Sequence, residues 1–165
     1  MKIWRIKKLS HPEVLEACKL LNKYIQEENP DYIIPIASGG SKLFRLLGWQ
    51  GKSMEIRIQH QRGAQGFIQY LPRWVTKLLR QIDMNRKKTT ARVEEVKGDL
   101  SLLRGKKVLI LDDAVDTGVT LEIAKRYVPE AKIAVVNNIR GSKLPDFDIY
   151  RGILVVFPWN LDYKV

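Results

Sequence analysis

The run from Val108 to Thr120, V-L-I-L-D-D-A-V-D-T-G-V-T, sets out its side chains in an order that suits chemistry. Four apolar residues read as a fully buried strand, two adjacent carboxylates follow, and D-T-G-V-T turns into a helix. In an open α/β sheet, ligands bind outside the C-terminal ends of the strands. The helix start offers free backbone amides and the positive end of a dipole, Gly118 lets the chain curl close to a ligand, and Thr117 and Thr120 add hydroxyls. Those parts make a phosphate cradle. Asp112 and Asp113 would repel a phosphate laid directly on them, so their partners are hydroxyl hydrogens or a cation such as magnesium. A sugar phosphate meets both requirements. As fragments the pieces are common: two aspartates end a strand in many metal-binding α/β proteins, and Asp-Thr-Gly also serves as a plain helix cap.

Taken whole, Val108 to Thr120 resembles the signature of the type I phosphoribosyltransferases, which bind phosphoribosyl pyrophosphate; the apolar, acidic and Thr-Gly positions all match. The resemblance implies that Asp112 and Asp113 hold the ribose hydroxyls and bind magnesium. It implies that Asp116, Thr117, Gly118, Val119 and Thr120 wrap the 5′-phosphate. In purine-specific members the aspartate opening that loop lies near N7 of the base, which makes Asp116 the candidate proton acceptor and, with Asp112 and Asp113, a candidate catalytic residue.

Other segments extend the likeness. A small turn after the first core strand holds pyrophosphate in this family, and Ala37-Ser38-Gly39-Gly40 stands in its place. The pyrophosphate candidates are therefore Ser38, Gly39, Gly40, Ser41 and Lys42. Small purine enzymes similar to xanthine-guanine phosphoribosyltransferase carry Arg or Lys directly before the two glycines, where this chain has Ser38, and Lys42 is the substitute charge. The C-terminal V-V-F-P-W-N is similar to the tail that closes the base pocket in the same group. The stacking aromatic expected four residues before the proline is Leu154 here. Arg140 stands in for a lysine that reaches the 6-oxo group, and Val155 offers backbone contacts. Phe157 and Trp159 read most simply as core or interface aromatics.

Positioning these residues requires a particular set of elements. Ser10 to Glu13, S-H-P-E, is a capping box, and Val14, Leu15, Ala17, Cys18, Leu20, Leu21, Tyr24 and Ile25 follow at helical spacing to about Asn29-Pro30. Strands are expected at D-Y-I-I-P-I-A, Met54 to His60, Lys106 to Asp113, Ala131 to Asn137 and Ile149 to Phe157. Helices are expected at Ser41 to Leu47, Pro72 to Ile82 and Thr117 to Tyr127, and Thr89 to Val96 is weakly strand-like. The alternation predicts an α/β fold, a mostly parallel sheet flanked by helices, with a small hood from the chain ends. One phosphoribosyltransferase domain over residues 1–165 is expected, and relatives imply a dimer or tetramer.

Composition bounds the alternatives. The chain has 165 residues, 29 Lys plus Arg against 18 Asp plus Glu, and a formal net charge of +11. That length buries a core without staples and excludes disorder and disulfide scaffolds. Cys18, the single cysteine, falls on the apolar face of the first helix, and two histidines, His11 and His60, build neither a thiolate zinc site nor a Ser-His-Asp triad. With no signal-peptide pattern at Met1 and no span-length apolar run, a soluble, cytoplasmic protein is expected. The positive excess points to an anionic partner. Much of it lies in Arg73 to Arg92, which reads as a solvated amphipathic helix or a cationic cover for pyrophosphate. The rival reading is a phosphoribosyl-pyrophosphate-responsive regulator that binds RNA or DNA through that segment.

Overall fold

The computed structural model describes residues 4–60 and 91–160. The helix expected at Pro72 to Ile82 and most of the basic stretch, residues 73–90, lie outside them.

Strand β1 (Ile6–Lys8) leads into helix α1 (His11–Glu28), β2 (Tyr32–Ala37), helix α2 (Gly39–Leu47), β3 (Lys52–Ser53), β4 (Glu55–His60) and β5 (Ala91–Lys97). A 3-10 turn at Leu100–Leu103 precedes β6 (Val108–Val115), helix α3 (Val119–Tyr127), β7 (Lys132–Asn138), β8 (Phe147–Arg151) and β9 (Leu154–Val156). The main sheet runs β5-β4-β2-β6-β7-β8, with β3 beside β2. Its pairings are parallel except that of β4 with β5. β1 and β9 pair separately as a small parallel sheet, the hood built from the two chain ends.

Alternation along the strands explains why helices cover both faces. Ile33, Leu109, Leu111, Ala134 and Val136 pack with Leu21 and Ile25 of α1 and Leu43 of α2. Ile34, Ile36, Ile110, Ile133 and Val135 pack with Leu121 and Ala124 of α3. Strand β6 lies in the middle, with Leu109, Ile110 and Leu111 at 0% exposure. Burying each of these side chains stabilises by about 2 kcal/mol, so the strand that carries the acidic pair is firmly anchored.

The order in which strands are added to the sheet reverses between the parallel neighbours β2 and β6. From β2 the chain leads through α2 to β4 on one side; from β6 it leads through α3 to β7 on the other. The crevice at such a switch point, above the C-terminal strand ends, is where this class of sheet takes its ligands.

The expected boundaries shift in three places. Gly39 and Gly40 belong to the first turn of α2 rather than to a loop before it. β6 continues through both aspartates to Val115. The single strand expected over Ile149 to Phe157 is two strands in different sheets, because Gly152 at φ +75° breaks the ladder and sends β9 to the hood.

Helix α1 begins where local chemistry places it. The Ser10 amide donates to Glu13 Oε2 at 2.8 Å, and the Glu13 amide donates to Ser10 Oγ at 3.4 Å. Asn29, in the left-handed region at φ 45°, ends the helix before Pro30. Cys18 is buried on the inner face, where burial pushes its thiol up. The Ser10 amide, the Lys7 ammonium and the Ser10 hydroxyl together hold the exposed Glu13 carboxyl down at about 2. A depressed carboxylate stabilises the fold above its unfolded value near 4.5, and that contribution fades as pH falls toward 2. Ser10→Ala should cost about 1 kcal/mol in urea unfolding at neutral pH, and the destabilisation by Glu13→Gln at pH 7 should disappear by about pH 2.

Candidate active site

The acidic pair sits where β6 meets the start of α2. Pro35 of β2 lies beside Leu111 of β6, so the residues that follow β2 come up beside the acidic pair. A methyl group on Gly39 would fall 2.2 Å from the Asp113 carboxylate, and one on Gly40 would fall 2.4 Å from the Leu111 carbonyl oxygen. Only glycine lets the first turn of α2 lie against the acidic pair this closely. Ser38 makes no side-chain cap, so the amides at that end are left to other acceptors.

Asp112 is 7% exposed; one carboxylate oxygen accepts the Asp113 amide at 2.9 Å, and the Gly40 amide also donates to this carboxylate. Burial, and then the charge of Asp113, hold its carboxyl well above the usual range. Asp113 is half-buried and is also pushed up by burial, against the downward pull of the Trp159 indole, the Ala114 amide and the charge of Lys42. Trp159 Nε1 donates to Asp113 Oδ2 at 2.8 Å. Lys42 is exposed one turn into α2. Ser41 is buried and its hydroxyl donates to Glu55 Oε2 at 2.6 Å, which leaves only its backbone to face a ligand.

Beyond β6 the chain forms the second half of the site. Gly118 caps α3 at φ +90°, without a side-chain cap, and a methyl group there would meet Leu144 at 2.7 Å. Val119 and Thr120 form the first turn of α3, with Asp116 and Thr117 in the approach. This is an uncapped helix start, suited to an anion. The Arg140 guanidinium pairs with the Asp116 carboxylate and lies over the Trp4 ring, 5.6 Å from its centroid.

Leu154 offers no open stacking face: it is buried against Trp4 and Ile139. Val155 points into the main core with Phe157. Arg140 is placed by a clip absent from the sequence reading. Asn138, fully buried, donates to the Ser142 carbonyl and to Asp148 Oδ2 at 2.8 Å each, and accepts the Ser142 amide at 2.8 Å. One amide side chain thus holds the loop that carries Arg140 and places Leu144 under Gly118. The Asn-Asn pair closing a fully buried strand was its only sequence signal.

Among the described residues, no three His, Cys, Asp or Glu side chains converge to hold a metal. Two adjacent carboxylates do fit magnesium, a hard cation bound through one or two carboxylates together with substrate phosphates and water. No described helix is long and apolar enough to cross a membrane.

The acidic pair thus stands between two helix starts that lack side-chain caps, at the switch point of a parallel sheet. Residues 63–165 match the phosphoribosyl transferase domain, and the chain belongs to that family. It is a phosphoribosyltransferase, an enzyme of phosphoribosyl-pyrophosphate-dependent transfer to a base. A purine phosphoribosyltransferase from Pyrococcus horikoshii Ot3 is 26% identical over 94% of both chains, with a TM-score of 0.64. The fold is shared with a Neisseria gonorrhoeae protein with bound ppGpp, at 19% identity over 99% of this chain and 94% of that one, TM-score 0.65. It is shared too with the Helicobacter pylori xanthine-guanine-hypoxanthine phosphoribosyltransferase, at 16% identity over 98% of this chain and 96% of that one, TM-score 0.62.

The two glycines separate stability from binding. Gly40→Ala drives a methyl into backbone and should cost about 2–3 kcal/mol in denaturant unfolding. Gly39→Ala displaces the Asp113 carboxylate instead, and calorimetry should show lost affinity for phosphoribosyl pyrophosphate with a smaller loss of stability.

Proposed function

We propose that residues 1–165 form one phosphoribosyltransferase domain that transfers the 5-phosphoribosyl group to a 6-oxopurine and releases pyrophosphate. One observation carries the choice of base: Arg140 and Asp116 lie paired at the far end of the phosphate loop. Side by side they present a cationic donor and an anionic acceptor, the complement of a 6-oxo oxygen and the neighbouring N7–H. Adenine would set an amino group against the guanidinium, with donor facing donor. The purine enzyme from Pyrococcus horikoshii supports a purine as the acceptor.

In this reading the purine nitrogen attacks the ribose C1 while the C1–O bond to pyrophosphate breaks, and the leaving oxygen keeps the electron pair. Positive charge grows on the sugar and negative charge on the departing pyrophosphate. Asp112 and Asp113 hold the ribose hydroxyls, and their charge favours the cationic sugar. The start of α2 faces the pyrophosphate with the amides of Ser38, Gly39 and Ser41 and the Lys42 ammonium, while the Gly40 amide holds Asp112, and the amides at Thr117 to Thr120 hold the 5′-phosphate. Asp116 accepts or orients the proton of the base. Magnesium, when bound with the substrate at Asp112 and Asp113, would neutralise charge on the leaving group. The alternative, a nucleic-acid-binding regulator, rests on a basic stretch that falls mostly outside the described residues, whereas the site itself has the parts for transfer.

Pyrophosphate release should be seen with hypoxanthine, guanine or xanthine and not with adenine, uracil or orotate; a preference for adenine or a pyrimidine would overturn the choice of base. Titration calorimetry with phosphoribosyl pyrophosphate and magnesium should show binding to the wild type that Asp112→Asn with Asp113→Asn removes. An intact protein that binds none would overturn the assignment of this site.

A further inference from the structure

Asp113 is held by more than its own strand. Its carboxylate lies against the Cα of Gly39, where a methyl group would come within 2.2 Å of Cγ and of both oxygens. One of those oxygens, Oδ2, accepts the indole N–H of Trp159 at 2.8 Å. The indole is fixed in turn: its ring stacks on Phe157 with centroids 4.9 Å apart and planes 9° from parallel, and Phe157 is 1% exposed. A closed turn holds the two rings together. The Phe157 amide donates to Asn160 Oδ1 at 2.6 Å, and the Asn160 amide donates to the Phe157 carbonyl at 2.9 Å.

We infer that Trp159 is a positioning residue for ribose recognition, a strut that uses one oxygen of Asp113 to fix its rotamer and leaves the other for a sugar hydroxyl. The inference rests on the proposed role of Asp113 in holding the ribose. It gives the Phe157-Pro158-Trp159-Asn160 segment a task on the sugar rather than on the base. The physical basis is preorganisation. A short carboxylate pinned between a glycine and an indole loses little freedom when a hydroxyl arrives, and a hydrogen bond to an ionised acceptor is among the stronger ones. A role confined to holding the tail in place would affect every ligand alike. A strut on Asp113 affects the ligands that reach Asp113, those that carry the sugar, and leaves metal-free pyrophosphate unchanged.

The test is calorimetric titration of wild type and Trp159→Phe, which keeps the ring on Phe157 and deletes the N–H, with three probes. These are phosphoribosyl pyrophosphate with magnesium, ribose 5-phosphate, and metal-free inorganic pyrophosphate. Affinity for the two sugar ligands should fall about tenfold, as loss of one hydrogen bond to a charged group implies, while pyrophosphate affinity and the melting temperature hold. Trp159→His, with a ring N–H of its own, should recover part of the loss. Asn160→Ala, which opens the turn but leaves the indole, should give the same pattern more weakly and serves if Trp159→Phe does not fold. Undiminished sugar binding in Trp159→Phe, or equal loss for all three probes, would overturn the inference. A wild type that binds no phosphoribosyl pyrophosphate instead overturns the underlying role of Asp113.

Discussion

The first turn of α2 lies so close to the end of β6 that neither Gly39 nor Gly40 has room for a methyl group. Both halves of the site follow from that approach. It brings the amides at the start of α2 beside the carboxylates of Asp112 and Asp113, and it buries Asp112 deeply enough that an amide from Gly40 and one from Asp113 take the place of water. A wider gap would admit solvent and weaken every charge interaction in the crevice. The apolar alternation of β2 and β6 makes the approach possible, since it anchors both strands from two sides and so fixes where their ends emerge.

The same constraint separates the charges of the molecule. The chain carries a formal net charge of +11, yet the two acidic groups at its centre stand next to each other, one buried and one half-buried. Holding like charges together has a cost, visible in the raised carboxyl of Asp112. Helix starts, Lys42 and the Trp159 indole offset part of it. Strain kept at a site in this way is released when the intended partner arrives, and sugar hydroxyls or a cation are the partners that two carboxylates accept.

Legibility in the sequence followed locality. The Val108 to Thr120 run was readable because all its parts are contiguous, and the capping box at Ser10 and Glu13 because it spans a single helical turn. The α/β class followed from alternation of short apolar runs with helical periods. The split of Ile149 to Phe157 into β8 and β9 was missed, since an apolar run reads alike whether its residues share one sheet or two. The sign of it was Gly152. Arg140 was a candidate from the sequence, but its pairing with Asp116, 24 residues away, was not readable.

The amino-acid sequence by itself determined which groups are present and which local shapes they take: an acidic pair at the end of a buried strand, glycines where a helix starts, a cap for α1. Those depend on interactions within a few residues, which a linear pattern records. Tertiary structure alone decided what these groups touch. Trp159 reaches Asp113 across 46 residues, Asn138 clips the loop that carries Arg140, and Leu154 turns toward Trp4. The order of strands in the sheet and the return of β9 to the hood set those distances, and both arise from packing the whole chain at once.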